Sequence, residues 1–279
     1  MASFRVAGVQ MDIQIGNPQA NLERIAARLS EAVDAGAQLT VFPECTTTGY
    51  CFESLNEAKR MSETVDGHSV SSVKALCRAN QTMVVFGFLE SAGDQIFNSL
   101  VLVGPSGLMG IYRKIHLPYL GVDRFTTPGN RPFEVIETPS IRIGLNICYD
   151  SAFPEAARSL ALQGADLIAL PTNWPPTSSL TADIVPNTRA LENHVYFMAV
   201  NRIGTERGFE FVGKSKICNP CGESLAFANH ARETILYGDI DPEFARQKHI
   251  VSQPGQHEIH RMNDRRPEAY DQLTKSRDW

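Results

Sequence analysis

The sequence predicts an α/β fold whose mixed sheets are covered by helices on their outer sides. Three observations predict it. Short apolar runs of strand length alternate with stretches whose apolar residues recur at helical spacing. Hairpin-like pairs of runs interrupt that order and mix antiparallel strands into it. No linker-like stretch or internal repeat divides the 279 residues, so the chain reads as a single domain, 1–279, with a polar tail from about Val251.

The elements follow in order. Phe4 to Met11 alternates and reads as a first strand. Asn17 to Ala35 carries Leu22, Ile25, Ala26, Leu29 and Val33 at helical spacing, with Gly36 as its C-cap. Leu39 to Phe42 is a buried strand that stops at Pro43, and Glu44 follows at once. Glu44 to Tyr50 is a loop of small and polar residues. Ser69 to Ala79 is helical and Met83 to Leu89 a strand. Ile96 to Val103 and Leu108 to Arg113 form a hairpin across Gly104-Pro105-Ser106-Gly107 and end at Lys114.

Leu117 to Pro132 is loop-like. Phe133 to Thr138 and Ile141 to Ile147 are strands, and the second stops at Cys148. A helix runs from Phe153 to Gln163, with Pro154 in its first turn. Leu167 to Pro171 is a buried strand, Thr172 to Pro176 a loop, Ile184 to Asn193 a helix and Tyr196 to Val200 a strand. Phe209 to Val212, Lys216 to Cys218 and Ile235 to Ile240 are strands, and Pro242 to His249 is a short helix.

Composition narrows the function classes. Hydrophobic content of 43% and charged content of 20% suit a globular domain. A net charge of -5, without a basic run or stripe, argues against nucleic-acid binding. No apolar stretch is long enough to span a bilayer. Met1 to Gln10 enters a strand pattern without the charged and apolar regions of a signal peptide. Six cysteines in so long a chain are no disulfide framework, so the expectation is a cytoplasmic protein with reduced thiols.

Glu44, Lys114 and Cys148 each follow a predicted strand, where the functional loops of layered α/β folds lie. Cys148 stands at a strand-to-helix turn, where backbone N–H groups stabilise a thiolate or a developing oxyanion. A carboxylate in a poorly solvated cleft removes the thiol proton and returns it to a leaving amine. A fixed ammonium stabilises the charge that builds on the substrate. Taken singly, each residue also has a plainer reading: a buried core thiol, an exposed loop charge, a surface cation.

The neighbourhoods separate these readings. Phe42-Pro43-Glu44, Tyr112-Arg113-Lys114-Ile115-His116-Leu117-Pro118 and Asn146-Ile147-Cys148-Tyr149-Asp150-Ser151-Ala152-Phe153-Pro154-Glu155 resemble, in order, the three signature segments of the nitrilase (carbon–nitrogen hydrolase) superfamily. Pro128-Gly129, Arg189-Ala190-Leu191-Glu192-Asn193, Asn201-Arg202-Ile203-Gly204 and Gly213-Lys214-Ser215 are also similar to that family, and the resemblance covers about Phe4 to Tyr270. It implies a four-layer αββα sandwich, dimerised through the helices around the nucleophile. It implies Glu44 as general base and acid, Lys114 as oxyanion stabiliser, Cys148 as nucleophile and the Tyr149 backbone N–H in the oxyanion site. With Cys as nucleophile the covalent intermediate would be a thioester, and the resemblance implies neither metal nor organic cofactor.

The chain departs from the family at one place. Many members carry a second glutamate after the lysine, whereas Leu117 to Phe125 contains no Glu. Asp123 is the nearest carboxylate and stands as the auxiliary candidate, against the alternative of a surface loop charge. Asn173 and Trp174 line the substrate pocket by resemblance, or Trp174 plugs the core or a dimer interface. Arg124, Arg202 and Arg207 are candidate cations for an anionic substrate. His116 could be drawn as a dyad partner of Cys148, but packing behind Lys114 is the favoured reading. Cys218-Asn219-Pro220-Cys221 is a lone CxxC, and a zinc site wants a second pair. Cys45 and Cys51 flank the Glu44 loop as pocket walls or apolar fillers.

Tyr149-Asp150 after the cysteine is similar to amidase-type members, while Trp-Glu is usual in true nitrilases. The expectation is therefore an amidase acting on a small carboxamide. Nitrile hydrolysis, N-carbamoyl hydrolysis and a catalytically silent partner-binding subunit are the alternatives.

Overall fold

A computed structural model describes residues 3–275. In its first half, β1 (Phe4–Gln10) leads into α1 (Pro18–Asp34), β2 (Leu39–Val41), α2 (Leu55–Met61), α3 (His68–Asn80), β3 (Met83–Ala92), β4 (Gln95–Gly104) and β5 (Gly107–Arg113). Next come β6 (Val135–Glu137), β7 (Arg142–Leu145), α4 (Pro154–Leu162), β8 (Leu167–Thr172), α5 (Ser179–Asn193) and β9 (Tyr196–Asn201). The last third holds β10 (Thr205–Glu206), β11 (Phe209–Glu210), β12 (Lys216–Cys218), β13 (Ser224–Phe227), β14 (Thr234–Ile240), α6 (Pro242–Arg246), β15 (Ile250–Gln253) and β16 (His257–Ile259).

Two six-stranded sheets result, ordered β14-β1-β2-β3-β4-β5 and β13-β12-β9-β8-β7-β6. They share one plan. The strands β1, β2 and β3 are parallel neighbours in the first sheet, as β7, β8 and β9 are in the second. Antiparallel strands flank both trios. The alternation of β3 and β4 sorts their side chains. Val85, Leu100 and Leu102 enter the core between the sheets, while Val84, Phe86, Phe88, Val101 and Val103 face Ile25, Leu29, Val70 and Val73 of α1 and α3. On the far side α5 covers β9 and β12, and α4 packs on α5. The layers are thus helix, sheet, sheet, helix. The sheets approach closely where β1 crosses β9: a Cβ on Gly8 would lie 2.8 Å from the Met198 side chain.

Several boundaries differ from the sequence expectation, each for a physical reason. The polar α2 buries only Ala58, so it has no apolar stripe to read. Helix α5 starts at Ser179 and carries Pro186 inside it, a residue that ordinarily marks a helix end. The run Phe209 to Val212 pairs only at Phe209–Glu210, after which Phe211 and Val212 donate to Gly204 and Trp174 carbonyls. The polar tail forms the β15–β16 hairpin, and its Met262 packs against the main core. Among the described residues, no helix is long and apolar enough to cross a membrane.

Candidate active site

Strand directions bring the three sequence-predicted residues to one edge of the sandwich. Strand β2 ends at Val41, and Phe42 still donates to the Val85 carbonyl before Pro43 breaks the ladder and Glu44 follows. Strand β5 runs in the same direction as β3, because both are antiparallel to β4, and Lys114 comes directly after it. Cys148 follows β7 in the other sheet, after Asn146 makes a last bond to the Ala169 carbonyl of β8.

Lys114 and Glu44 are completely buried, and Lys114 Nζ lies 2.7 Å from Glu44 Oε1. The same ammonium lies 2.5 Å from Asp123 Oδ2, whose side chain is also fully buried, so Asp123 is no surface loop charge. The short 3-10 turn Gly121–Arg124 carries Asp123 inward, and the Tyr50 hydroxyl donates to Asp123 Oδ2 at 2.8 Å. Asn98 of β4 donates to both carboxylates, 2.7 Å to Glu44 Oε1 and 2.8 Å to Asp123 Oδ1. Glu44 Oε2 is buried and without a hydrogen-bond partner.

Burial pushes the Glu44 carboxyl above its ordinary value. Lys114 opposes that shift, Asp123 reinforces it, and the hydrogen bonds from Lys114 and Asn98 oppose it. Burial pulls the Lys114 ammonium the other way, but Asp123 and Glu44 outweigh it and hold the group charged, well above the usual lysine range.

The nucleophile turn is held just as closely. Cys148 opens the 3-10 turn Cys148–Ala152 in a left-handed conformation, φ 42°. The buried Asp150 carboxylate accepts from Ile147 N–H at 2.8 Å, from the Tyr112 hydroxyl at 2.8 Å and from His116 N–H at 3.3 Å. The His116 ring pairs with Asp150 at 2.7 Å and stacks on Phe153 at 3.8 Å, so it braces the turn behind the lysine segment. The Ser151 hydroxyl donates to the Cys148 carbonyl, and Arg189 of α5 donates to the Ser151 carbonyl. The first N–H to bond back within the turn is that of Asp150, to Ile147. Those of Cys148 and Tyr149 precede it, as at any helix start.

Burial, and then the Glu44 charge, push the Cys148 thiol up to about 12, while Lys114, the Thr172 hydroxyl and the Asn173 N–H pull it back. The resting group is therefore a thiol that needs a base at the moment of attack. Asn173 ties the two sheets together at this point, donating 3.2 Å to the Glu44 carbonyl.

The remaining candidates fall elsewhere. Trp174 is buried and joins the same core cluster as Cys148. Arg202 is fully buried, bonded to Asp12, Glu206 and the Ile13 carbonyl and lying over Phe211. Its partner Glu206 accepts the N–H groups of Tyr50 and Cys51, so this pair braces the Glu44 loop. Arg207 pairs with Glu57, and Arg124 caps the Gly121 and Phe52 carbonyls. Cys45 is buried beside Asn98, with its Sγ 3.5 Å from Asn98 Oδ1. Cys218 is buried at the end of β12 and Cys221 is exposed beyond it. Among the described residues, no group of three or more His, Cys, Asp or Glu could hold a metal ion.

Sequence reasoning missed Asn98, Tyr50 and Asp150 as parts of the site. The signal for Asn98 was present: Asn98-Ser99 is a polar pair inside a strand buried on both faces.

Comparison with known proteins agrees with this architecture. Residues 5–249 match the Carbon-nitrogen hydrolase family. The chain is 40% identical over 250 residues to a protein named nitrilase from Pyrococcus abyssi, covering 88% of this chain and 93% of that one. It is 30% identical over 253 residues to the human omega-amidase NIT2, covering 86% and 90%. A solved structure of a double mutant of the amidase from Nesterenkonia sp. AN1, in complex with acrylamide, superposes with a TM-score of 0.81. That alignment covers 97% of each chain at 22% identity and shares the αββα sandwich. The chain belongs to the carbon–nitrogen hydrolase family, whose members hydrolyse carbon–nitrogen bonds other than peptide bonds.

Proposed function

We propose that this protein is an amidohydrolase that converts a small carboxamide and water into a carboxylic acid and ammonia. Cys148 attacks the amide carbon while Glu44 takes the thiol proton. The carbonyl electron pair moves to oxygen, where the Lys114 ammonium and the Tyr149 N–H stabilise it. Collapse of the tetrahedral state breaks the C–N bond, Glu44 protonates the leaving nitrogen, and a thioester on Cys148 remains. Glu44 then deprotonates a water that attacks the thioester carbon; the C–S bond breaks, the acid leaves, and Glu44 returns the proton to the Cys148 sulfur. The observation that carries this reading is the dry Glu44–Lys114 ion pair beside a thiol whose pKa is too high for spontaneous ionisation.

Asp123 serves as the auxiliary carboxylate and keeps Lys114 charged, a role supported by its 2.5 Å contact. Asn173 and Trp174 form the wall beside the nucleophile. The whole chain, 1–279, is read as one domain, which the core cluster shared by both sheets supports. It assembles as a homodimer through α4 and α5.

Nitrile hydrolysis with the same residues is the second reading, favoured by the relative from Pyrococcus abyssi named nitrilase. A citrullinase from Francisella tularensis, 29% identical over 293 residues, keeps N-carbamoyl-type substrates in the comparison. Tyr149-Asp150 after the cysteine favours the amide. An ammonia-release screen over amides, nitriles and N-carbamoyl compounds decides among them. Cys148→Ala is expected to lower turnover of the preferred compound by at least about a thousandfold with the fold intact. Activity that survives in that variant rules out the thioester route.

A further inference from the structure

The two oxygens of Glu44 stand in different environments. Oε1 accepts from Lys114 Nζ and from Asn98 Nδ2, both at 2.7 Å. Oε2 is buried and unpartnered, although a buried carboxylate ordinarily fills its acceptor sites. The Asn98 amide spends Nδ2 on two carboxylates and turns Oδ1 toward the Cys45 thiol. Reversing that amide would aim Oδ1 at both carboxylates, so the network fixes its orientation. The Asn98 carbonyl accepts the Lys114 N–H at 2.9 Å, which fixes the cation beside the amide at the β4–β5 pairing.

We propose that Asn98 is a positioning residue for proton transfer: with Lys114 it ties down Glu44 Oε1 and leaves Oε2 as the oxygen that accepts the Cys148 proton. This rests on the reading of Glu44 as the base. In the first step the S–H bond breaks, an O–H bond forms on Oε2, and the sulfur pair makes the S–C bond. In the second the same proton leaves Oε2 for the departing nitrogen as the C–N bond breaks. An untethered carboxylate would rotate between its two oxygens and spend part of its time misaligned. A tethered one is already in the reacting geometry.

The consequence can be measured without knowing the substrate. Alkylation of Cys148 by 2-chloroacetamide also needs the thiol proton removed. Its rate, followed by peptide mass spectrometry between about pH 4 and pH 9, reports the titration of the base. Asn98→Leu keeps nearly the same volume and removes the donor. The expected result is a plateau rate lower by about 10- to 100-fold and an acid limb moved to higher pH, because the charged carboxylate loses a donor.

A plateau within about threefold of the parent protein and an unmoved limb, even with a lowered melting temperature, would make Asn98 a packing residue and overturn the proposal. Should Asn98→Leu fail to fold, Asn98→Ala removes the same donor, and the same outcomes decide. Glu44→Gln in the same assay separates the underlying reading. An acid limb that persists there removes Glu44 as the base. A limb that vanishes there while Asn98→Leu behaves as the parent overturns the Asn98 proposal alone.

Discussion

At the residue scale the site is a problem in charge. Glu44, Asp123 and Lys114 are all fully buried, so two carboxylates share one ammonium. Removing one partner from such a group leaves an uncompensated charge in a dry site. The Asp123 charge also raises Glu44. Asp123→Asn preserves the shape and removes that charge, so the Glu44 titration moves down. The acid limb of the pH–rate profile is therefore expected at lower pH, opposite in sign to the shift for Asn98→Leu. Profiles of ammonia release or of Cys148 alkylation check this, and an unmoved or raised limb contradicts it. The sequence made Glu44 and Lys114 visible because each lies just beyond a strand end, and Asp123 because it is the nearest carboxylate in the loop after the lysine. It concealed Asn98 and Tyr50, whose roles depend on which strands become neighbours. Asn98 is 54 positions from Glu44 and 25 from Asp123, yet touches both.

At the element scale, the placement of Glu44 depends on how closely β2 and its loop lie against β3. A Cβ on Gly87 would stand 2.4 Å from the Cys45 nitrogen and 3.0 Å from the Glu44 backbone. These are backbone atoms in a hydrogen-bonded loop, where the Thr47 N–H donates to the Gly87 carbonyl. They cannot step aside as a flexible side chain would. Gly87→Ala is expected to cost about 1–3 kcal/mol of stability from overpacking and to lower turnover by about a hundredfold through displacement of the base. Thermal melts and steady-state kinetics test the two effects separately; full activity at native stability shows that the loop has room. The elements themselves were legible where pattern and burial coincide, as in α1, β3 and β4. They were illegible where burial is slight, as in α2 and β13, or where a breaker sits inside an element, as Pro186 does in α5. The pairing of His116 with Asp150 was hidden for another reason. It joins the lysine segment to the nucleophile turn across 34 residues, and strand pattern carries no information on such a contact.

At the scale of the whole molecule, the outer layer of helices is covered unevenly. On the first sheet α1 and α3 bury their apolar faces against β3 and β4. On the second, α5 leaves Leu180 69%, Ile184 51% and Leu191 43% exposed. The spacing of these residues sets them along one side of the helix, and Leu162 at the end of α4 is exposed as well. Scattered exposed apolar residues need no explanation, but a row on one helix face marks a surface that associates. The homodimer proposed through α4 and α5 would cover that row. It would also bear on catalysis, because Arg189 of α5 holds the Ser151 carbonyl in the turn that carries Cys148. The protein is expected to sediment at twice its chain mass at micromolar concentration. Leu180→Glu combined with Ile184→Glu is expected to give a monomer, since two opposed carboxylate pairs would have to be desolvated. Loss of the dimer should also loosen α5 and lower kcat by about tenfold or more, with a smaller effect on KM. A parent protein that is monomeric and fully active at that concentration would refute the homodimer. A monomeric variant with native kcat would keep the dimer but sever it from the nucleophile turn.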